Sequence, residues 1–342
     1  MKTANEFKYV CICGSAYALL QYLLLQEEVI IKAHTYYFVG SGVNKEIARN
    51  LPHYTQFDTT PCHGLKKILR IVSKIRLRWF GMMHFPFLRT ACIYAQDYMY
   101  PIIVIKNRPY IMLQESPHHM TVNYGADSQD LARAEAHLHS FSGRLERALY
   151  GDVLLFPPAA TQQCQQIELT EKNESPLLEG KIFSINSFVS LWRKAPETKK
   201  KYIREIFNLN RNEEFPKAKN VFLTQPLVDD KILSDAEYKK LLDEIFNKYS
   251  RETICIKIHP RDTYNYTNNF PNIQLFRTKT NIELLFLLGW KCERIISICS
   301  TAVNSIPETI EVDWFGAKVH PKLESYFGTT IIPYRPYKQM KL

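Results

Sequence analysis

Thr253-Ile254-Cys255-Ile256-Lys257-Ile258-His259-Pro260-Arg261-Asp262 joins an apolar run to a polar loop that carries an imidazole and a guanidinium. A short apolar run closed by a proline-containing loop reads as a buried strand, and the carboxyl ends of such strands are where open α/β sheets bind ligands. Further along, Arg294-Ile295-Ile296-Ser297-Ile298 reads as a second strand; it ends in Cys299-Ser300-Thr301 and continues through Ala302-Val303-Asn304-Ser305 as a polar turn opening a helix. Hydroxyls and free backbone N–H groups at such a turn suit a phosphate. One strand end offering His and Arg and another offering Ser and Thr are together equipped to hold a leaving phosphate.

Working outward, the same alternation recurs on both sides. In the same half of the chain, Asn220–Thr224 and Ile273–Phe276 read as strands, Ser234 to Tyr249 as an amphipathic helix with Ser234 as N-cap, and Asn281–Leu288 as a helix. Upstream, Phe7–Cys13 reads as a buried strand, Gly14-Ser15 as a turn and Ala16–Gln26 as a helix. Strands follow at Thr35–Val39, Arg89–Ala95, Ile102–Ile105, Tyr110–Leu113 and Asp152–Phe156, with short or basic helices between them. From about Thr161 to Phe215 the pattern loosens and turns polar, so the boundary is placed there. The division is 1–190 for an N-terminal acceptor-side domain carrying the base, 191–216 for a linker and 217–342 for a C-terminal donor domain. Strand–helix alternation in both halves predicts α/β architecture, two Rossmann-like doubly wound domains facing a central cleft.

At 342 residues the chain suits two domains better than one, and 46% hydrophobic with 23% charged residues places it among globular proteins. A formal net charge of +10 points to an anionic partner: a nucleotide, an anionic membrane surface, an acidic glycan or nucleic acid. Nucleic acid is disfavoured, because no binding fold and no aromatic–basic interleaving on one element is present. Gly64 to Phe80, GLKKILRIVSKIRLRWF, has apolar positions at helical spacing with cations between them. It is either a membrane-surface helix or a packed helix with a solvated basic face. Eight cysteines, at 11, 13, 62, 92, 164, 255, 292 and 299, lack paired metal spacing and read as free thiols of a reducing compartment. The N-terminal apolar stretch is interrupted by Gly14, Ser15 and Gln21, so it reads as strand plus helix; the expected location is cytoplasmic.

His259 is the candidate electrostatic stabiliser or acid on the phosphate side, and Pro260 fixes the loop so that its neighbours present in one direction. Arg261 can pair with a phosphate through two parallel bonds. Ser300 and Thr301 are donor-phosphate ligands or an ordinary helix cap. Glu115, in Gln114-Glu115-Ser116-Pro117 after a strand, is the candidate general base for an acceptor hydroxyl. Gly14 and Ser15 form a tight turn at a strand end and are placed, with Pro260, among the donor-binding residues; any βα loop offers the same turn. Neighbouring His118-His119 point apart in a strand or loop, and no metal site is expected.

These motifs resemble those of bacterial GT-B sialyltransferases, in particular the lipooligosaccharide enzymes of glycosyltransferase family 52 and the related capsular polysialyltransferases. The resemblance rests on Val10-Cys11-Ile12-Cys13-Gly14-Ser15-Ala16-Tyr17, Gln225-Pro226-Leu227, Lys257-Ile258-His259-Pro260-Arg261-Asp262 and Ser300-Thr301-Ala302. Where that group has an acidic-acidic-glycine motif this chain has Gln114-Glu115-Ser116, so only the second acid is kept. The resemblance implies CMP-sialic acid as donor, a bacterial surface glycan as acceptor, inversion at the anomeric carbon and no metal or other cofactor. It places Glu115 as base, His259 on the phosphate, and Arg261, Ser300 and Thr301 on the donor. Another activated sugar, CMP-Kdo or a UDP-hexose, and a non-catalytic nucleotide- or glycan-binding module are the alternatives. Oligomeric state stays open, a homo-oligomer included.

Overall fold

The computed structural model describes residues 7–57, 65–105, 107–117, 128–151, 153–171, 180–209, 215–328, 333 and 335–342. The chain divides into two compact units, Met1–Arg211 and Asn212–Leu342. His118, His119 and Cys62 lie outside the described residues.

In the first unit, strands β1 (Tyr9–Ser15), β2 (Thr35–Gly42), β3 (Tyr54–Gln56), β4 (Cys92–Ala95), β5 (Tyr110–Leu113), β6 (Cys164–Leu169) and β7 (Ile182–Ile185) form one sheet in the order β3-β2-β1-β4-β5-β6-β7. Every pairing is parallel. In the second unit, β8 (Asn220–Leu223), β9 (Ile254–Lys257), β10 (Gln274–Phe276), β11 (Arg294–Ser297), β12 (Glu311–Trp314) and β13 (Lys338–Gln339) are ordered β10-β9-β8-β11-β12-β13. These pairings are parallel too. In its own chain order the second sheet runs 3-2-1-4-5-6, the Rossmann pattern, and the first runs the same way with a seventh strand added after the sixth; the order reverses direction at β1/β4 and at β8/β11. The near-continuous apolar character of β8 and β9, buried at every position, follows from helices covering both faces of a parallel sheet.

The helix Ala16–Leu25 begins where β1 ends and is capped by Ser15, whose Oγ accepts the Ala18 N–H at 3.2 Å. The helix Asp235–Phe246 carries a full capping box, Ser234 with Glu237. Three expectations are corrected. Ile102–Ile105 is not a strand: Tyr100–Ile105 forms 3-10 turns, begun by the Ile102 N–H donating to the Met99 carbonyl at 2.9 Å. Its Val104 packs against Gly81 of the helix Leu65–His84, so closely that a Cβ there would meet Val104 Cγ2 at 2.7 Å. Val153–Leu155 is likewise a 3-10 turn. A short buried apolar run has no periodicity to separate these forms from a strand.

The stretch 191–209, expected as linker, is folded onto the first unit as the helices Phe188–Lys194 and Glu197–Ile206. Ile203 and Ile206 are fully buried, Lys199 donates to the Leu24 carbonyl at 2.7 Å, and Asn50 donates to the carbonyls of Glu205 and Ile206. Its composition looks polar because a one-sided helix buries few positions and a lysine stem can cover apolar surface.

Candidate active site

The second unit gathers its candidate residues at the carboxyl end of its sheet. Lys257 on β9, Leu223 on β8 and Ser297 on β11 stand level in the register, with β8 in the middle. His259 follows two residues after Lys257, and Ser300 three after Ser297, so the two loops leave the sheet side by side. They are separated by two interstrand spacings, roughly 10 Å, on either side of the strand where the order reverses. Sequence reasoning gave no tying role to Thr224 and Gln225, directly after β8, although Gln225 is part of a motif of the resemblance. The His259 N–H donates to Thr224 Oγ1 at 2.8 Å, and the Cys299 N–H donates to Gln225 Oε1 at 3.1 Å.

His259-Pro260-Arg261-Asp262 is a β-turn closed by the Asp262 N–H donating to the His259 carbonyl at 2.9 Å, with proline at its second position, where a fixed φ is preorganised. Within it the Arg261 N–H donates to His259 Nδ1 at 3.2 Å. That bond makes Nδ1 an acceptor and assigns the proton of the neutral ring to Nε2. Burial, then the positive charges of Arg261 and Lys257, push the His259 pKa down to about 4. At neutral pH the imidazole is uncharged and presents an Nε2–H donor in a locally positive field.

Lys257 is buried beneath the turn, donates to the carbonyls of Ile258 and Thr278 at 3.0 Å each, and has its pKa lowered by burial to about 8. Glu283, also buried, accepts from Ser305 and Asn281 at 2.8 Å each, and burial raises its pKa. Asp262 holds the far side of the turn, accepting from the Tyr264 N–H at 3.1 Å and the Tyr266 hydroxyl at 2.7 Å. Tyr266 in turn meets the Tyr238 hydroxyl at 2.9 Å.

Arg261 is already engaged: its guanidinium forks onto both oxygens of Asp230 at 3.1 and 3.4 Å. Pro260 is exposed at the turn's tip, and Ser300 and Thr301 are half-buried. The expected helix after them is a 3-10 turn, Thr301–Ser305, to which Ser300 makes no capping bond. The ordinary cap explanation for that hydroxyl is therefore not realised.

The first unit collects the others. Gly14 and Ser15, expected beside the donor ligands, lie in the same unit as Glu115, at the end of β1. Gln96, just past β4, accepts the Gly14 N–H and the Ser15 N–H on Oε1, and Ser15 Oγ donates to the Glu115 carbonyl at 3.1 Å. Gly42 must be glycine, since a Cβ there would lie 2.1 Å from the Gly14 carbonyl oxygen. Gln114 is fully buried and structural: its N–H donates to Gln21, and its side-chain oxygen accepts from the N–H and hydroxyl of Thr170 at 2.9 and 3.1 Å. Among the described residues, no three His, Cys, Asp or Glu side chains come together as metal ligands.

Each unit is a doubly wound parallel sheet, and in the second the candidate loops leave at the switch point, where open α/β sheets bind ligands. A Photobacterium damselae sialyltransferase structure described as its GT-B domain shares the fold at a TM-score of 0.51 and 10% identity, covering 94% of this chain and 95% of that one. The 2,6-sialyltransferase of Photobacterium sp. JT-ISH-224, solved with CMP and lactose, aligns at a TM-score of 0.59 and 10% identity over 96% of this chain and 78% of that one. An uncharacterized protein of Haemophilus influenzae is 26% identical over 328 residues, 94% of this chain and 98% of its own length. The sequence model of glycosyltransferase family 52 matches residues 149–323, just over half of the chain, and the protein belongs to that family. It is a glycosyltransferase of α/β, GT-B type. The matched stretch contains His259, Pro260, Arg261, Ser300 and Thr301, whereas Gly14, Ser15 and Glu115 lie outside it.

Proposed function

We propose that the protein transfers sialic acid from CMP-sialic acid to a hydroxyl of a bacterial surface glycan, lipooligosaccharide or capsule, inverting the anomeric carbon without an obligatory metal ion. The observation that carries the donor half is the state of His259: neutral, with Nδ1 tied to the Arg261 N–H, so that Nε2–H stands as a donor in a positive field. An anion is the ligand such a field favours. The choice of cytidine and sialic acid is supported by family 52 membership and by the CMP held in the Photobacterium enzyme of the same fold.

In this reading the acceptor hydroxyl attacks the anomeric carbon, the bond from that carbon to the phosphate oxygen breaks, and CMP departs. Glu115 takes the hydroxyl proton. Charge developing on the leaving phosphate is met by His259 Nε2–H and the Ser300 and Thr301 hydroxyls, a preorganised electrostatic stabilisation. The oxocarbenium-like state resembles that of glycoside hydrolysis. Arg261 supports the site through its charge and joins the phosphate directly only if it leaves Asp230.

The test is transfer from CMP-sialic acid to lactose-terminated glycan by the full chain, with CMP and UDP compared in thermal shift. Turnover that persists in EDTA, a shift with CMP only, and a loss of at least about a hundredfold in His259→Ala with the melting profile kept are the expected results. A UDP shift, or undiminished His259→Ala turnover, overturns the assignment.

A further inference from the structure

At the carboxyl end of β12 and β13 the second unit holds a cavity of about 550 Å³, lined by residues 314–319 and 339–342. Trp314 stands level with Ser297 of β11 on one side and with Gln339 of β13 on the other. The cavity therefore opens at the same end of the sheet as the Ser300 loop, one to two interstrand spacings, roughly 5–10 Å, farther from β8. Gly316 makes the room. Its φ of +75° with ψ of 174° is a conformation that L side chains scarcely adopt, and a Cβ there would lie 3.2 Å from Trp314 Nε1 and 3.8 Å from Gln339 Nε2. Trp314 is only 1% exposed, yet its indole N–H meets no acceptor among the described residues and is not sealed from solvent. The buried ring of Trp290, by contrast, donates to the Pro216 carbonyl at 3.0 Å, as buried tryptophans usually do. Lys318 and Lys341 also line the cavity; both are exposed, neither pairs with a carboxylate among the described residues, and none of the ten lining side chains is acidic.

We propose that this cavity is a subsite for a sugar acid, held by Lys318, Lys341 and the Trp314 indole N–H; the inference rests on the reading of the protein as a transferase of acidic sugar. Each part of the lining selects one part of such a ligand. The carboxylate pairs with the two ammonium groups, and a carboxylate or hydroxyl oxygen accepts the waiting indole N–H, which is a donor only. The C–H face of a pyranose ring lies against Val319 and Met340, which line the same cavity. A neutral sugar would leave both cations unused. A bare phosphate would leave the apolar wall and most of the volume empty, whereas the volume is that of an ordinary small-molecule pocket. Such a residue has two sources. One is the sialyl group of the donor, whose carboxylate sits on the carbon bonded to the phosphate oxygen and so stays near the Ser300 loop. The other is the end of a glycan that already carries an acidic sugar.

The experiment follows the Trp314 indole signal in proton–nitrogen correlation spectra of the full chain labelled at its four tryptophans, the signal being the one that Trp314→Phe removes. N-acetylneuraminic acid should shift that signal saturably. Lys318→Gln with Lys341→Gln should weaken the apparent Kd about tenfold, while the CMP thermal shift stays that of the parent, which separates a lost subsite from lost folding. Kinetics then tells the sources apart. If the donor's sialyl group fills the cavity, Trp314→Phe raises KM for CMP-sialic acid about tenfold and leaves inhibition by CMP unchanged. If a sialylated glycan fills it, that KM is kept and sialyllactose shifts the signal at lower concentration than the free acid does. No shift with the acid, an equal shift with N-acetylglucosamine or inorganic phosphate, a shift with CMP in place of the acid, or undiminished affinity in the lysine variant would each overturn the proposal. The spectra need no turnover: a saturable shift without transfer counts against the transferase reading alone, and transfer without the shift counts against the subsite alone.

Discussion

Asp262, a carboxylate assigned no ligand, decides where His259 sits. It accepts from the Tyr264 N–H and the Tyr266 hydroxyl, and bonds the Thr224 side chain whose oxygen receives the His259 N–H. Burial raises its pKa, and these bonds to the charged form oppose that rise. Asp262→Ala is therefore expected to lower kcat/KM for the donor by about ten- to a hundredfold, the scale of losing hydrogen bonds to a charged group. Asp262→Asn, which keeps an acceptor, should recover part of it. A positioning role predicts that the pH profile of the remaining activity is unchanged, which steady-state kinetics can check. The profile itself is a second prediction. Because the His259 pKa is depressed to about 4, the neutral ring persists down to that value, and kcat/KM should show no limb near 6.5, the ordinary histidine value. An activity that needed the imidazolium would instead fall as pH rises through about 4, whereas one that needs the neutral ring falls as pH drops through that value. The direction of the limb in a pH–rate series distinguishes the two.

At the scale of elements, what could be read from the sequence follows from burial. Strands covered on both faces announce themselves as apolar runs closed by turn residues, and β8, β9 and β11 fall within one or two residues of their expected ends. The same signal misleads at Ile102–Ile105, where β-branched residues fill a gap beneath the helix Leu65–His84 as 3-10 turns. β6 was hidden in polar sequence: Gln166 and Glu168 lie within it, and the Gln166 amide donates to Glu168 at 2.6 Å. A buried strand that satisfies its polar side chains locally has no apolar run to reveal it. The candidate site's reactive side chains could be read from the sequence, its supports could not. His259, Ser300 and Glu115 stand out as reactive side chains at strand ends. Thr224, Gln225 and Gln96 act by accepting backbone N–H groups from loops distant in sequence, a function any Thr or Gln could serve, so the coordinates alone single out Thr224 and Gln96 and alone give Gln225, already part of a motif, its role.

For the whole molecule, the division into Met1–Arg211 and Asn212–Leu342 gives each unit its own parallel sheet. All phosphate-side candidates fall in the second, and Gly14, Ser15 and Glu115 in the first. Gly14 and Ser15 fix the β1 turn to Gln96 and to the Glu115 carbonyl, from which the prediction is that the donor gains little from them. CMP should therefore stabilise the second unit. A ligand that binds only the folded form adds about 2.7 kcal/mol at a hundred times its Kd, an amount that calorimetry resolves readily. Multidomain chains need not unfold in one step. The expected thermogram has two transitions, with CMP raising one; hydrogen exchange should place the added protection in 254–262 and 297–305 and leave 9–18 as it was. Protection of 9–18 on the same scale would return Gly14 and Ser15 to the donor site. A single transition that moves as a whole would mean that folding of the first unit depends on the second, and the donor would then stabilise Glu115's surroundings without touching them.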